Sequence, residues 1–247
     1  MGGSNDVGEN EAQATPSDLV IVGASGGIGD YLVRSFRGQH RVIATYCQHE
    51  PAEQYPDVHY AKLDLCDRSA VAGFCSEIAG EMQRPVLVYC SGVSRNGVVH
   101  KFSDEDWDTT LDVNLTGAMT MCRGMLPRMR ELGFGRVVLL GSVLGRSLVP
   151  GSVAYSVTKA GLSALARVVA TENATKGVTA NTLALGYYDI GIISSVPSKF
   201  LEEKVLPGIP KGKLGDPSNI ASAIRFLIDA DYVTGATLDM NGGIVGA

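Results

Sequence analysis

The sequence predicts an α/β protein, a single domain built on a doubly wound parallel sheet of about seven strands with helices on both faces. Three observations carry that expectation. Short aliphatic runs of strand length recur along the chain, at residues 18–22, 85–90 and 137–140. Strands covered on both faces are apolar at nearly every position, which is how these runs read. Amphipathic stretches of helical period separate them, and that alternation implies parallel strands joined by crossover helices. Of the 247 residues, 45% are hydrophobic, 30 are glycine and only 6% are aromatic. Aliphatic strands and tight glycine turns give that composition.

Residues 1–16 are polar and rich in Gly, Asn and Glu, so a disordered tail is expected before a domain spanning 17–247. The first strand, 18–22, runs straight into Gly23-Ala-Ser-Gly-Gly27-Ile-Gly29 and then into a helix over about 28–37. Strand, glycine turn and helix are the setting of a dinucleotide site. Glycines let the backbone approach a pyrophosphate, and the helix start offers unpaired N–H groups to it. An ordinary glycine-rich turn is the alternative.

The second strand is expected over 41–45. Tyr46 follows it, where an NAD enzyme usually places an acid for the ribose hydroxyls. No carboxylate stands there to repel a 2′-phosphate, so NADP(H) is favoured over NAD(H). Residues 59–65 read as the third strand, ending in Asp64-Leu65. Residues 71–82 read as a helix and 85–90 as the fourth strand, which closes on Tyr89-Cys-Ser-Gly92. A long helix is expected over 107–129, with Asn114 inside it.

The fifth strand contains 137–140 and ends near Ser142. Tyr155 and Lys159 lie four apart at the start of a long amphipathic run, so on a helix they share one face. A loop folding back over the strand end would bring Ser142, Tyr155 and Lys159 together. An ammonium beside a phenol favours phenolate, and so would lower the tyrosine into a useful range for proton transfer. Tyr-x-x-x-Lys alone also occurs by chance on ordinary helices.

Residues 178–183 read as the sixth strand, followed by Gly186. The stretch 187–214 holds three prolines and is long for a plain connection, so it reads as a lid or substrate loop. Asp216-Pro-Ser starts a helix over 219–228, and 237–240 is the last strand.

Taken in order, Gly23-x-x-x-Gly27-x-Gly29, Asp64, Asn114, Ser142, Tyr155-x-x-x-Lys159 and the closing residues 232–243 resemble a short-chain dehydrogenase/reductase over about 17–247. The stretch 91–97 and the C-terminal block are most similar to the 3-oxoacyl-[acyl-carrier-protein] reductase branch. The resemblance implies a Rossmann fold and an NADP(H)-dependent oxidoreductase that interconverts a ketone and a secondary alcohol. It implies Tyr155 as general acid/base, Lys159 on the nicotinamide ribose, Ser142 orienting the carbonyl and Asn114 holding a relay water. It places Gly23, Ser25, Gly27, Ile28 and Gly29 at the pyrophosphate and Asp64 with Leu65 near adenine. Tyr46, Ser91, Gly92, Gly186 and Tyr188 complete the cofactor set. Leu144, Val149 and Tyr187 are expected to shape the substrate pocket.

Departures from the family pattern are visible too. Tyr89-Cys90-Ser91-Gly92 stands for the usual Asn-Asn-Ala-Gly, Leu185-Gly186 for Pro-Gly, and Ile190 for a threonine. They raise two alternatives: a catalytically silent binding or partner subunit, and an epimerase or dehydratase that uses bound cofactor transiently. An enoyl reductase fits less well, because those proteins place more residues between Tyr and Lys.

Partners and compartment follow from composition. A net charge of −5 gives no footprint for nucleic acid or an anionic membrane. Five scattered cysteines without Cys-x-x-Cys point to reduced thiols, no metal site and a cytoplasmic location. The expected partner is a small or carrier-bound keto substrate, and the family resemblance implies a homotetramer.

Overall fold

The computed structural model describes residues 15–147, 149–191, 193 and 196–244. The expected tail, 1–16, therefore lies outside the described residues apart from Thr15 and Pro16. Seven parallel strands form one sheet in the order β3-β2-β1-β4-β5-β6-β7. They are β1 (Asp18–Val22), β2 (Arg41–Tyr46), β3 (Val58–Lys62), β4 (Pro85–Tyr89), β5 (Gly135–Ser142), β6 (Val178–Leu185) and β7 (Thr237–Met240). The strand order reverses between β1 and β4, which pair in parallel from Asp18↔Pro85 to Val22↔Tyr89. A crevice beyond the carboxyl ends of those two strands is the place such a sheet offers a ligand.

Helices cover both faces, as the continuous burial of β1, β4 and β6 demands. On one face, α1 (Gly27–Phe36) packs Leu32, Val33 and Phe36 against the sheet, beside α7 (Ser218–Asp229). On the other lie α2 (Arg68–Ala79), α4 (Gly117–Leu132) and α5 (Val153–Asn173). Their apolar stripes recur every three or four residues: Leu162, Ala166, Val169 and Ala170 are the apolar stripe that α5 adds to this core. The short α3 (Asp104–Leu111) precedes α4, and a one-turn α6 (Ser198–Phe200) lies in the segment before α7.

Three expectations change. β3 stops at Lys62, because the Asp64 carboxylate turns back to accept the Cys66 N–H at 2.9 Å and ends the extended run. The long helix begins at Asp104 and is broken by a π-turn, Asp112–Thr116, between α3 and α4. α2 begins earlier than 71, where Asp67 caps it by accepting from Ser69 N and Ala70 N at 2.9 Å each. The stretch 187–214 is partly built: a bridge ties Tyr188 to Gly215, and α6 continues into a second π-turn, Leu201–Val205.

Candidate active site

The site begins at the glycine turn. Gly23 has φ +91°, a conformation that side chains rarely adopt, and a Cβ there would lie 2.5 Å from Ser91 Oγ. A Cβ on Gly29 would collide with the Gly23 carbonyl oxygen, so glycine is what lets α1 start so close to β1. The turn hangs from β2 through Gly23 N and Ala24 N, both donating to the Thr45 carbonyl. No side chain caps α1. Its first N–H groups are left to a ligand, with the positive end of the helix dipole behind them.

A cavity of about 300 Å³ runs from Gly23 and residues 26–29 to Ser142, Tyr155 and Lys159. Ser142 ends β5, and its hydroxyl accepts from Leu144 N at 3.2 Å. Val143–Gly145 forms a single tight turn that returns the chain toward α5. A Cβ on Gly145 would lie 3.0 Å from the backbone of Lys159 and Ala160, so that close approach needs glycine. Ser142 and the Tyr155 phenol thereby face the same end of the cavity. One turn along α5, Lys159 Nζ lies 5.4 Å from the centre of the Tyr155 ring and donates to the Leu140 carbonyl at 2.7 Å. Gly92 faces it, with space for a Cβ only 3.4 Å from the ammonium.

The electrostatics differ from the expectation. Burial pushes the Tyr155 phenol up from its ordinary value, and the Ser142 hydroxyl is the influence that opposes the rise. The Lys159 ammonium is itself buried, and desolvation brings it down to about 8. Removal from water is the larger influence on each group.

Asn114 is wholly buried, and both donors of its side chain are engaged. Oδ1 accepts from Val93 N at 2.8 Å, while Nδ2 donates to Val93 O at 2.9 Å and to Thr158 Oγ1 at 3.1 Å. It clamps the loop after β4 to α5, so the side chain has no donor to spare for a water. Thr158 was not foreseen; only its place beside Lys159 pointed to it.

Other expected residues divide. Ile28, Gly92, Leu144, Gly186, Tyr187 and Tyr188 line the cavity. Tyr188 does so as a strut: it is buried, and its hydroxyl donates to the Met240 carbonyl at 3.1 Å. Ser25 is exposed at the turn, and Ser91 packs against Gly23. Leu65 is buried in the core, and Asp64 is exposed beside it. Val149 is 45% exposed and does not line the cavity, because residues 149–152 form a turn that carries it outward. Tyr46 lies outside the cavity, and its hydroxyl donates to Glu50 Oε1 at 3.4 Å. A carboxylate therefore does approach this position, from a loop residue that the local sequence around Tyr46 does not flag. Cys90, Ser94 and Gly191 also line the cavity and were not predicted.

The chain matches the family model described as enoyl-(acyl carrier protein) reductase over residues 23–245. It is 32% identical over 232 residues to an acetoacetyl-CoA reductase of Rhizobium meliloti (strain 1021), covering 91% of this chain and 96% of that protein. The chain is a short-chain dehydrogenase/reductase. A 3-oxoacyl-[acyl-carrier-protein] reductase of Rickettsia felis is 30% identical, covering 94% of this chain and 98% of that one. The ligand-free aldohexose dehydrogenase of Thermoplasma acidophilum superposes with a TM-score of 0.84 over 93% of this chain and 94% of that one. At 23% identity that structure attests the fold. As a short-chain dehydrogenase/reductase the protein is an NAD(P)-dependent oxidoreductase, most similar to the 3-oxoacyl-[acyl-carrier-protein] reductase branch. No described helix is long and apolar enough to cross a membrane.

Proposed function

We propose that the protein interconverts a ketone and a secondary alcohol with NADP(H), Tyr155 acting as general acid/base. The observation that carries this reading is the convergence of Ser142, Tyr155 and Lys159 at one end of a cavity whose other end is the glycine turn. A dinucleotide fits the residues present. The uncapped start of α1 would take the pyrophosphate, and Lys159, with Gly92 beside it, would take the ribose. The bound nicotinamide supplies or accepts the hydride.

The chain's own residues handle the proton. Ser142 would hold the carbonyl oxygen against Tyr155, whose phenol donates its proton to that oxygen as the carbon is reduced. Burial keeps the phenol protonated through neutral pH, which suits ketone reduction over alcohol oxidation. Lys159 donates once to Leu140 and has two N–H groups left for ribose hydroxyls. Asn114 contributes by fixing Val93, which follows Gly92, and Thr158, which precedes Lys159.

NADP(H) is supported by Lys62, which is Tyr46's partner in the β2–β3 ladder and pairs with no carboxylate among the described residues. Glu50 weighs the other way. Titration with NADPH and NADH decides it: tighter NADPH binding that weakens in Lys62→Ala is expected, and tighter NADH binding overturns it.

The relatives' names and the apolar lining at Val143, Leu144 and Ile193 favour a 3-oxoacyl thioester, free or on a carrier. A homotetramer in the cytoplasm completes the reading, pairing through α4, α5 and the chain end. Val157 and Val168 are exposed on α5, at 45% and 53%. Light scattering that reports a monomer refutes the tetramer. The test of the activity is NADPH consumption with acetoacetyl thioesters. Tyr155→Phe is expected to lower kcat roughly 10²- to 10⁴-fold; wild-type turnover in that variant overturns the mechanism. Tight NADPH binding without turnover on any ketone would favour the silent-subunit alternative suggested by residues 89–92.

A further inference from the structure

We propose that Tyr89 is a positioning residue for the active site: its phenol holds the π-turn that carries Asn114, and Gly117 is the socket that admits it. The proposal rests on the catalytic reading above and deepens it. Tyr89 is the largest fully buried side chain among the described residues. It ends β4, and its ring crosses the layer between the sheet and α4. A phenol removed from water in this way needs a hydrogen-bond partner. Its hydroxyl donates to the carbonyl of Val113.

That acceptor lies inside the π-turn Asp112–Thr116. In a regular helix the Gly117 N–H would bond to the Val113 carbonyl, four residues back. Here the Gly117 N–H reaches Asp112 instead, one residue further. Tyr89 supplies to Val113 the donor that the π-turn takes away. A π-turn costs a helix regular hydrogen bonding, and a side chain that satisfies the displaced carbonyl stabilises it against reverting.

Gly117 is shaped to this contact. A Cβ there would sit 2.6 Å from the Tyr89 hydroxyl, while the next nearest atoms, Leu65 Cβ and Asp112 O, are at 3.1 and 3.2 Å. The phenol oxygen is thus the main obstacle to any side chain at 117.

The consequence reaches the site through Asn114, next to Val113. A π-turn holds one more residue per turn than an α-turn, so losing it turns the helix face by about 100° per residue of slip. Asn114 then leaves Val93 and Thr158, its three side-chain bonds at 2.8 to 3.1 Å. Val93 follows Gly92, which faces the Lys159 ammonium, and Thr158 precedes Lys159 on α5. The ring of Tyr89 touches none of the reacting groups; it acts on them through this chain of contacts.

The experiment is a set of three variants, Tyr89→Phe, Gly117→Ala and the double variant, each compared with wild type for kcat, KM, thermal midpoint and exchange of the Val93 amide proton. Tyr89→Phe keeps the ring and removes the donor. It is expected to lower kcat on the order of ten- to a hundredfold through misplacement of Lys159 and the substrate, and to speed exchange at Val93, whose N–H rests on Asn114. Gly117→Ala is expected to be more damaging than in the Tyr89→Phe background, where the obstructing oxygen is gone. That rescue in thermal midpoint can be read without any activity. Wild-type kcat and Val93 exchange in Tyr89→Phe, with only a lower midpoint, would reduce Tyr89 to packing and overturn the proposal. Equal damage from Gly117→Ala in both backgrounds would overturn the socket. If Tyr89→Phe does not fold, Gly117→Ala alone must still speed Val93 exchange, or the proposal fails. Failure of the catalytic reading looks different: Tyr155→Phe keeps its turnover while the exchange and rescue results stand.

Discussion

Replacing Lys159 with methionine should stabilise the protein while abolishing its activity. Lys159 is 5% exposed, and among the described residues no carboxylate pairs with it. Burial brings its pKa from 10.5 to about 8. At about 1.4 kcal/mol per unit, keeping it charged at neutral pH costs on the order of 3 kcal/mol. Methionine removes that cost and fits the same slot, but strips the Leu140 carbonyl of its donor, a loss of about 1–2 kcal/mol. The balance is a gain of about 1–2 kcal/mol, or roughly 2–8 °C in thermal midpoint for a chain of this size. The pH dependence follows from linkage. Between about 8 and 10.5 the unfolded chain holds a proton at Lys159 that the folded chain has released, so wild-type stability rises with pH over that window. The cost is complete below about 8 and gone above 10.5. The advantage of Lys159→Met should therefore be greatest at neutral pH and shrink through that window. Thermal unfolding of both cofactor-free proteins from pH 7 to 10.5 measures it. A methionine variant less stable at pH 7, or an advantage that does not change with pH, refutes the reasoning.

Two further outcomes are expected. Ser142→Ala removes the hydroxyl that opposes the upward shift of Tyr155, so the phenolate needed for alcohol oxidation should appear at higher pH; the pH profile of kcat in that direction should move alkaline, and an unmoved profile would separate Ser142 from Tyr155. Asp67→Ala removes the cap that accepts from Ser69 N and Ala70 N, which should cost about 1 kcal/mol and lower the thermal midpoint by roughly 2–4 °C with kcat unchanged.

The fold was legible because its strands are buried on both faces and so read as aliphatic runs; β1 and β7 fall where the pattern places them. The boundaries that slipped were set by side chains acting on backbone, which hydrophobic periodicity does not record. Asp64 shortens β3 by capturing the Cys66 N–H, and Asp67 draws the start of α2 forward. The π-turn is invisible in sequence for a related reason: one extra residue in a helix alters its period too little to stand out beside Trp107 and Met129. At the site, spacing placed Tyr155 and Lys159 on one face of α5, where they are. It could not give their burial, which raises the phenol and lowers the ammonium. Glu50 reaches Tyr46 through a loop, and Val149 turns outward on another; neither direction is a property of local pattern.

The substituted stretch Tyr89-Cys90-Ser91-Gly92 ties these points together. Its backbone still runs as an extension of the sheet, with Cys90 N donating to the Val22 carbonyl at 2.9 Å. What changes is the polar chemistry beside Lys159. Burial pushes the Cys90 thiol up to about 12, so it stays neutral and gives the ammonium no counter-charge. Burial accounts for the low pKa of Lys159, and a neutral neighbour and a single carbonyl are poor compensation for it. Hydroxyl acceptors brought by a bound ribose would supply what the thiol does not. Cofactor binding should then raise the Lys159 pKa and, with the ammonium more firmly charged, draw the Tyr155 phenol back down. The pairing read from the sequence would belong to the loaded enzyme, and the free protein would hold its two groups apart in charge until the dinucleotide arrives.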